Sequence, residues 1–224
     1  MGGATWKYKS MFDIDIDEDS FCDILVANGV EIFSFDLSNT DYKDVLNKAK
    51  TLIKDFKIDY AMGYSFGCIA ASECALELNL LGIILLDPFS PPGPIKNVEI
   101  GDQFKYQIAD IKETLDTKTF IKEHIKDAHI KMLSDTDILL SPTFPKKLVS
   151  DGKFSTLPAW TDLKSINCPI YCAFTNTAKD FVKNYYGEYK QKTYGNNTHW
   201  ILLEDGRFEL AKDILEFINS NSAV

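Results

Sequence analysis

Residues 63–67 read Gly-Tyr-Ser-Phe-Gly, and this pentapeptide is the clearest candidate for a nucleophile in the chain. An apolar stretch precedes it, and a helical pattern over residues 68–80 follows it. A strand, a Gly-x-Ser-x-Gly turn and a helix together hold a serine hydroxyl exposed at the end of a sheet. Glycine at both flanking positions removes side chains that would clash with the neighbouring strand or helix. The sequence therefore predicts that Ser65 is a nucleophile on a sharp turn.

A serine hydroxyl needs a general base, and the chain has three histidines, His124, His129 and His199. His124 and His129 are five residues apart, so on a helix they point to different faces and suit neither a shared metal nor a fixed partner for Ser65. His199 lies in a polar loop just before the last predicted helix. A base that reaches over the nucleophile belongs on such a loop, so we predict that His199 is the base.

The third member of a triad is a carboxylate that orients the histidine, and two aspartates fit. Asp87 follows the predicted strand after the elbow helix, and Asp180 follows a later predicted strand. Both give the order serine, acid, histidine along the chain. An aspartate before a proline also commonly begins a turn, which could explain Asp87. An aspartate before a helix is commonly its N-cap, which could explain Asp180, so the residues alone leave both open.

Alternation of strand-like and helix-like segments predicts an α/β fold with a mostly parallel sheet and helices on both faces. Strands are predicted over residues 30–35, 59–62, 82–86, 169–174 and 189–194, and helices over 42–56, 68–80 and 208–218. Reactive residues of such sheets lie at the carboxyl ends of the strands, where Ser65, Asp87 and the residues after 174 would meet. We predict a single domain over 1–224, with residues 95–160 as a helical lid insertion.

Composition excludes several classes of function. A net charge of −9, from 33 acidic and 24 basic residues, argues against nucleic acid or an anionic membrane as a partner. The start of the chain lacks a signal-peptide pattern, and the longest apolar run is too short to span a bilayer. Five cysteines without a C-x-x-C pair indicate buried thiols in a reducing, cytoplasmic compartment. We expect no metal ion and no organic cofactor.

The pentapeptide 63–67, the Leu-Leu-Asp run ending at Asp87, the Cys-Pro-Ile run at 168–170 and the late His199 resemble the α/β-hydrolase superfamily. The order and size are similar to the thioesterase domains of polyketide and nonribosomal peptide synthesis and their stand-alone relatives. Many superfamily members carry the acid in a Gly-x-x-Asp pattern after the later strand, but here Thr175 and Ala178 occupy those two positions. The synthase thioesterases carry it after the strand that follows the elbow helix. The resemblance therefore favours Asp87.

The same resemblance implies an oxyanion hole of two backbone N–H groups. One donor is the N–H of Phe66, after the nucleophile. Residues 1–6 resemble the loop that supplies the second, which places that donor at Gly3 or Ala4. About three N-terminal strands of the full fold have no counterpart, so we expect a short sheet that begins with residues 30–35. The uncovered edge of that strand makes a homodimer plausible.

The sequence is compatible with two functions. In the first, the protein is a serine hydrolase of an ester or thioester, and the resemblance implies an acyl group carried on an acyl carrier protein or coenzyme A. In the second, it is a non-catalytic hydrolase-like module that binds a small molecule or a protein partner. The absent N-terminal strands and the broken Gly-x-x-Asp pattern motivate the second function. Turnover that depends on Ser65 distinguishes the two.

Overall fold

The computed structural model describes residues 19–34, 42–65, 67–88, 163–175, 189–195, 197 and 201–222. Within these ranges the helices are α1 (Phe21–Ala27), α2 (Tyr42–Asp55), α3 (Gly67–Glu77) and α4 (Gly206–Asn221), and the strands are β1 (Tyr60–Tyr64), β2 (Gly82–Leu86), β3 (Ile170–Thr175) and β4 (Lys190–Tyr194). Short 3₁₀ turns span Leu163–Ser165 and Ile201–Leu203. The predicted lid, residues 95–160, lies outside the described ranges.

The four described strands form one parallel sheet in the order β1-β2-β3-β4. All five residues of β2 are buried, because the strand pairs with β1 on one side and β3 on the other and is covered on both faces. Continuous apolar sequence is typical of a strand in this position. The strand predicted over 82–86 and its central place are thus confirmed.

Helices cover both faces of the sheet, as the sequence predicts. On one face α1 and α4 pack over a core that includes Tyr64, Ile84, Leu86, Tyr171, Ala173, Ile214 and Phe217. On the other face α2 and α3 pack over a core that includes Ala61, Cys68, Ile83, Leu85, Cys172 and Phe174. Alternate residues of β2 point into opposite cores, because successive side chains of a strand face opposite sides.

Local sequence explains where α1 begins and where α2 ends. Ser20 caps α1: its hydroxyl accepts from Asp23 N–H at 3.1 Å, and the Asp23 carboxylate accepts from Ser20 N–H at 2.9 Å. At the end of α2, Lys57 adopts a left-handed φ of 51°. The N–H of Ile58 then donates to the carbonyl of Ile53 at 3.0 Å, which closes the last turn. The chain is thereby directed into β1.

Strand β4 is the polar edge strand that the sequence predicts. Its residues are mostly exposed, but Tyr194 is buried and its hydroxyl donates to Asp213 of α4 at 2.5 Å. The ammonium of Lys192 donates to the same carboxylate oxygen at 2.5 Å, and the hydroxyls of Tyr194 and Tyr171 lie 2.9 Å apart. These contacts fix β4 to α4 and to β3. They hold the strand from which the predicted histidine loop departs.

The strand predicted over residues 30–35 is wrong for the residues described, since 30–34 belong to no strand. Among the described residues β1 is the first strand of the sheet. Residues 29–34 and residues 56–62 line the same cavity of about 350 Å³, so residues 30–34 run beside β1 without entering the sheet. A period-2 apolar pattern produces a strand only where a neighbouring backbone completes the ladder. The homodimer expected through this strand therefore stays a prediction.

Within the described residues, each helix is too short or too polar to cross a membrane.

The central strand generates a first test. We expect Leu85→Ala to lower the free energy of unfolding by about 2–5 kcal/mol, because the Leu85 side chain of β2 is fully buried in the core under the helices α2 and α3. Leu81→Ala, one residue before β2 and 43% exposed, is the matched control and should cost less than about 1 kcal/mol. Urea unfolding followed by circular dichroism measures both. Equal losses in the two variants would contradict the assignment of β2 as the centre of the core.

Candidate active site

Ser65 occupies the turn between β1 and α3 in the conformation that a nucleophile elbow needs. Its φ is 52°, in the left-handed region that residues with a side chain seldom adopt. The turn is fixed on both sides: Ser65 N–H donates to the carbonyl of Leu86 at 2.8 Å, and Cys68 N–H donates to the carbonyl of Ser65 at 3.1 Å. Ser65 is half-buried, whereas the residues beside it in β1 and α3 are buried. The serine is thus held at the surface of a rigid turn.

Gly63 permits this turn because helix α3 returns directly against β1. A methyl group on Gly63 would lie 2.5 Å from Cys68 Cα, 2.5 Å from Gly67 O and 2.6 Å from Cys68 N. All three are backbone atoms, so a larger residue can be accommodated only by moving the helix away from the strand. The predicted need for a residue without a side chain at this flank is confirmed. The close approach also lets the Cys68 thiol donate to the Gly63 carbonyl at 3.2 Å.

Asp87 lies at the same edge of the sheet, one residue past the end of β2. Its N–H donates to the carbonyl of Ala173 at 2.7 Å, and its φ is 42°, again left-handed. The residue is buried. Because Ser65 N–H bonds to Leu86, the neighbour of Asp87, the structure brings the backbones of the predicted nucleophile and the predicted acid together.

Thr175 holds the Asp87 carboxylate with two hydrogen bonds. The Thr175 N–H donates to Oδ1 at 2.9 Å, and its hydroxyl donates to Oδ2 at 2.9 Å. Both donors come from the last residue of β3, and both residues are buried. Two donated hydrogen bonds limit the rotation of the carboxylate. The carboxyl group is thus restrained at the carboxyl end of the sheet, close to where a histidine between it and Ser65 would have to lie.

Sequence reasoning missed the role of Thr175, and one signal could have found it. Thr175 directly follows the predicted strand 169–174, in the position where a Gly-x-x-Asp pattern would begin. A residue with a hydroxyl group at this position can donate a hydrogen bond to an acid at the end of the neighbouring strand.

A second missed residue is Glu204, which is fully buried and accepts from Asn197 Nδ2 at 3.0 Å. The sequence around Glu204 does not indicate that this glutamate is buried, because its burial depends on tertiary contacts.

Four predicted site residues lie outside the described ranges. They are the base His199, the oxyanion donors Phe66 and Gly3, and the alternative acid Asp180. Described residues flank His199 on both sides: Asn197 precedes it and the buried Ile201 follows it. The structure therefore brings Ser65 and Asp87 together, and the other predicted members of the site stay predictions.

Two buried groups near the elbow keep their protons. Burial raises the pKa of the Tyr64 phenol, and the negative charges of Asp87 and Glu204 raise it further. Burial likewise raises the pKa of the Cys68 thiol, with a smaller contribution from Cys172. A thiol that is not ionised is a weak nucleophile, so Cys68 does not compete with Ser65. The described residues contain no group of three histidine, cysteine or acidic side chains placed to hold a metal ion.

Comparison with solved structures identifies the fold. The sequence matches no protein-family model and no curated protein. A monoacylglycerol lipase from Paleococcus ferrophilus is similar with a TM-score of 0.63 and 13% identity, over 90% of this chain and 88% of the lipase. A lipase-esterase related protein from Clostridium acetobutylicum has a TM-score of 0.58 and 17% identity, over 97% and 92% of the two chains. Tomato methylketone synthase I has a TM-score of 0.58 and 10% identity, over 90% and 93%.

The chain has the α/β-hydrolase fold. The parallel sheet, the helices on both faces and the strand-to-helix turn at Ser65 agree with these likenesses, and the fold that the sequence predicts is confirmed. At 10–17% identity the likenesses show the fold alone. The chemistry must be argued from the site itself.

The elbow generates a test of its own. We expect Gly63→Ala to lower the free energy of unfolding by at least about 3 kcal/mol, because the new methyl group meets backbone atoms that cannot rotate away. Gly195→Ala is the matched control, since a methyl group there meets no atom within 4 Å, and it should cost less than about 0.5 kcal/mol. Chemical unfolding measures both. Near-equal stability of the two variants would show that α3 does not pack against β1 as described.

Proposed function

We propose that the protein is a serine hydrolase that cleaves an ester or thioester through Ser65, His199 and Asp87. The observation that carries the proposal is the pairing of a half-buried serine at φ 52° with a buried aspartate at the adjacent strand end. Strained left-handed backbone at two neighbouring non-glycine positions is typical of functional sites. The fold of lipases and esterases supports the same class of reaction.

In the proposed reaction the Ser65 hydroxyl attacks the acyl carbon while His199 takes its proton. The tetrahedral oxyanion accepts hydrogen bonds from Phe66 N–H and from a second donor near Gly3. His199 then returns the proton to the leaving alcohol or thiol, which leaves an acyl group on Ser65. Water attacks this acyl-enzyme with His199 again as the base, and the acid product is released.

Asp87 orients the imidazole and stabilises its positive charge in this scheme. The two hydrogen bonds from Thr175 support that role, because they restrain both carboxylate oxygens at the end of the sheet. They also make Asp87 a stronger candidate than Asp180. An acid must be held rigidly if it is to fix a histidine, and the described contacts provide that restraint for Asp87.

The substrate that we favour is an acyl ester or thioester, with the acyl group under the segment 95–160. An acyl carrier protein or coenzyme A as the carrier follows from the resemblance to synthase thioesterases. We place the protein in the cytoplasm, a proposal supported by its five cysteines, which form no disulfide. Besides water, the reaction as proposed uses only side chains and backbone groups of this chain.

A fluorophosphonate probe tests the nucleophile. We expect folded wild-type protein to be labelled at Ser65, as located by peptide mapping, and Ser65→Ala to lose both the label and the turnover of p-nitrophenyl acetate and acetyl-coenzyme A. Ser220→Ala, an exposed serine in α4, is the control and should keep both. Absence of label on Ser65 in the folded protein, together with no turnover, would favour the non-catalytic binding module instead.

Substitution of the acid and its donor tests the triad. Asp87→Asn should lower kcat by about 10³- to 10⁴-fold, because asparagine cannot hold the imidazole in the required tautomer. Thr175→Val keeps the shape and the N–H donor but removes the hydroxyl, so we expect a smaller loss of about tenfold. Asp180→Asn is the matched control and should keep more than half of wild-type kcat. A large loss in Asp180→Asn with little change in Asp87→Asn would assign the acid to Asp180.

A further inference from the structure

Between β4 and α4, a side-chain hydrogen bond connects the residues on the two sides of His199. Asn197 Nδ2 donates to Glu204 Oε2 at 3.0 Å. Asn197 lies two residues before His199, and Glu204 lies five residues after it. The proposed function makes no use of this contact. If His199 is the base, as proposed above, this hydrogen bond restrains the residues on both sides of the base.

Glu204 is a rigid anchor for this contact. The residue is fully buried, and its N–H donates to the carbonyl of Ile201 at 3.3 Å. Its own carbonyl accepts from Arg207 N–H at 3.0 Å and from Arg207 Nη1 at 3.1 Å. Arg207 is fully buried and its Nε donates to the carbonyl of Asp19 at 3.0 Å. The glutamate is therefore fixed to the start of α4 and, through Arg207, to Asp19, two residues before α1.

Asn197 is held from two further directions. Its N–H donates to the carbonyl of Tyr194, the last residue of β4, at 3.0 Å. Its side chain lies directly on Gly206, where an added methyl group would be 2.5 Å from Asn197 Cγ and 2.5 Å from its Oδ1. Gly206 is the first residue of α4, so the absent side chain gives the asparagine its place. The two contacts fix Asn197 between β4 and α4.

Only residues 198–200 separate Asn197 from Ile201, which is itself buried. Ile201 also accepts from Glu204 N–H, so both ends of this three-residue span are fixed to the same buried glutamate. A short span with fixed ends has few conformations, and a base held in few conformations meets its nucleophile more often in a productive geometry.

We propose that Glu204 is a positioning residue that fixes the His199 span through its hydrogen bond to Asn197. Glu204 acts through a neighbour and touches no reacting atom. The proposal rests on the role of His199. What matters in it is the hydrogen bond from Asn197 to Glu204, and the charge of Glu204 is not required. Glu204→Gln should therefore retain function, because its amide oxygen can still accept from Asn197.

A set of single variants separates positioning from a merely structural role. We expect Asn197→Ala and Glu204→Leu to lower kcat for p-nitrophenyl acetate about 10- to 100-fold with KM changed less than threefold. Glu204→Gln should stay within about threefold of wild-type kcat. Glu209→Gln, which replaces an exposed glutamate on α4, is the matched control and should leave both parameters unchanged. A loss in Glu204→Gln as large as in Asp87→Asn would overturn the proposal, because the charge would then be what matters.

A double-mutant cycle keeps the proposal testable even if Glu204→Leu fails to fold. Gly206→Ala should lower kcat about as much as Asn197→Ala, since its methyl group displaces the asparagine side chain. The double variant Asn197→Ala/Gly206→Ala should be no worse than Asn197→Ala alone, because the atoms that clash are gone. Strictly multiplicative losses, or full activity in Asn197→Ala, would refute the positioning role.

Failure of this inference differs from failure of the proposed function. If Ser65→Ala or His199→Ala retains turnover, the hydrolase proposal itself is wrong. If both of those variants are inactive while Asn197→Ala and Gly206→Ala keep wild-type kcat, the triad stands and the positioning role of Glu204 is wrong. Thermal unfolding of every variant shows whether a loss of kcat follows a loss of fold.

Discussion

Hydrogen bonds that continue the parallel ladder past the ends of β1 and β2 determine where the site can form. Ser65 N–H bonds to Leu86, and Asp87 N–H bonds to Ala173, although neither donor belongs to a strand. Each bond keeps the chain in the plane of the sheet for one residue more before it turns away. Ser65 and Asp87 are therefore set side by side by backbone geometry, and the side chain of Thr175 meets Asp87 from the next strand end.

The same bonds stabilise a conformation that is unfavourable by itself. A non-glycine residue in the left-handed region costs of order 1 kcal/mol or more, and Ser65 and Asp87 are both there. The cost is offset by the buried cores on the two faces of the sheet, which hold β2 rigidly between β1 and β3. At this edge of the sheet a half-buried serine and a buried acid therefore lie next to each other.

Much of this arrangement could be predicted from the sequence because it depends on local pattern. The apolar run 82–86 predicts β2 with correct bounds, and the glycines at 63 and 67 predict the turn at Ser65. Residues 30–35 also have a strand-like pattern, but 30–34 form no strand, because pairing needs a neighbouring backbone that a local pattern does not reveal.

The contacts of Thr175 and Glu204 could not be predicted either. Thr175 meets Asp87 across 88 positions of sequence, and Glu204 is buried by elements that are distant along the chain. Local pattern thus predicts the nucleophile and the candidate acids. The groups that hold the acid, and the groups that fix the ends of the histidine span, depend on how strands and helices meet in three dimensions.

The most direct test of the account is a crystal structure of the protein inhibited by a small alkyl phosphonate. We predict a covalent bond from Ser65 Oγ to phosphorus, His199 Nε2 close to that oxygen, and His199 Nδ1 within about 3 Å of the Asp87 carboxylate while Thr175 still donates to it. An unmodified Ser65, or a His199 that pairs with Asp180 while Asp87 bonds to Thr175 alone, would contradict it.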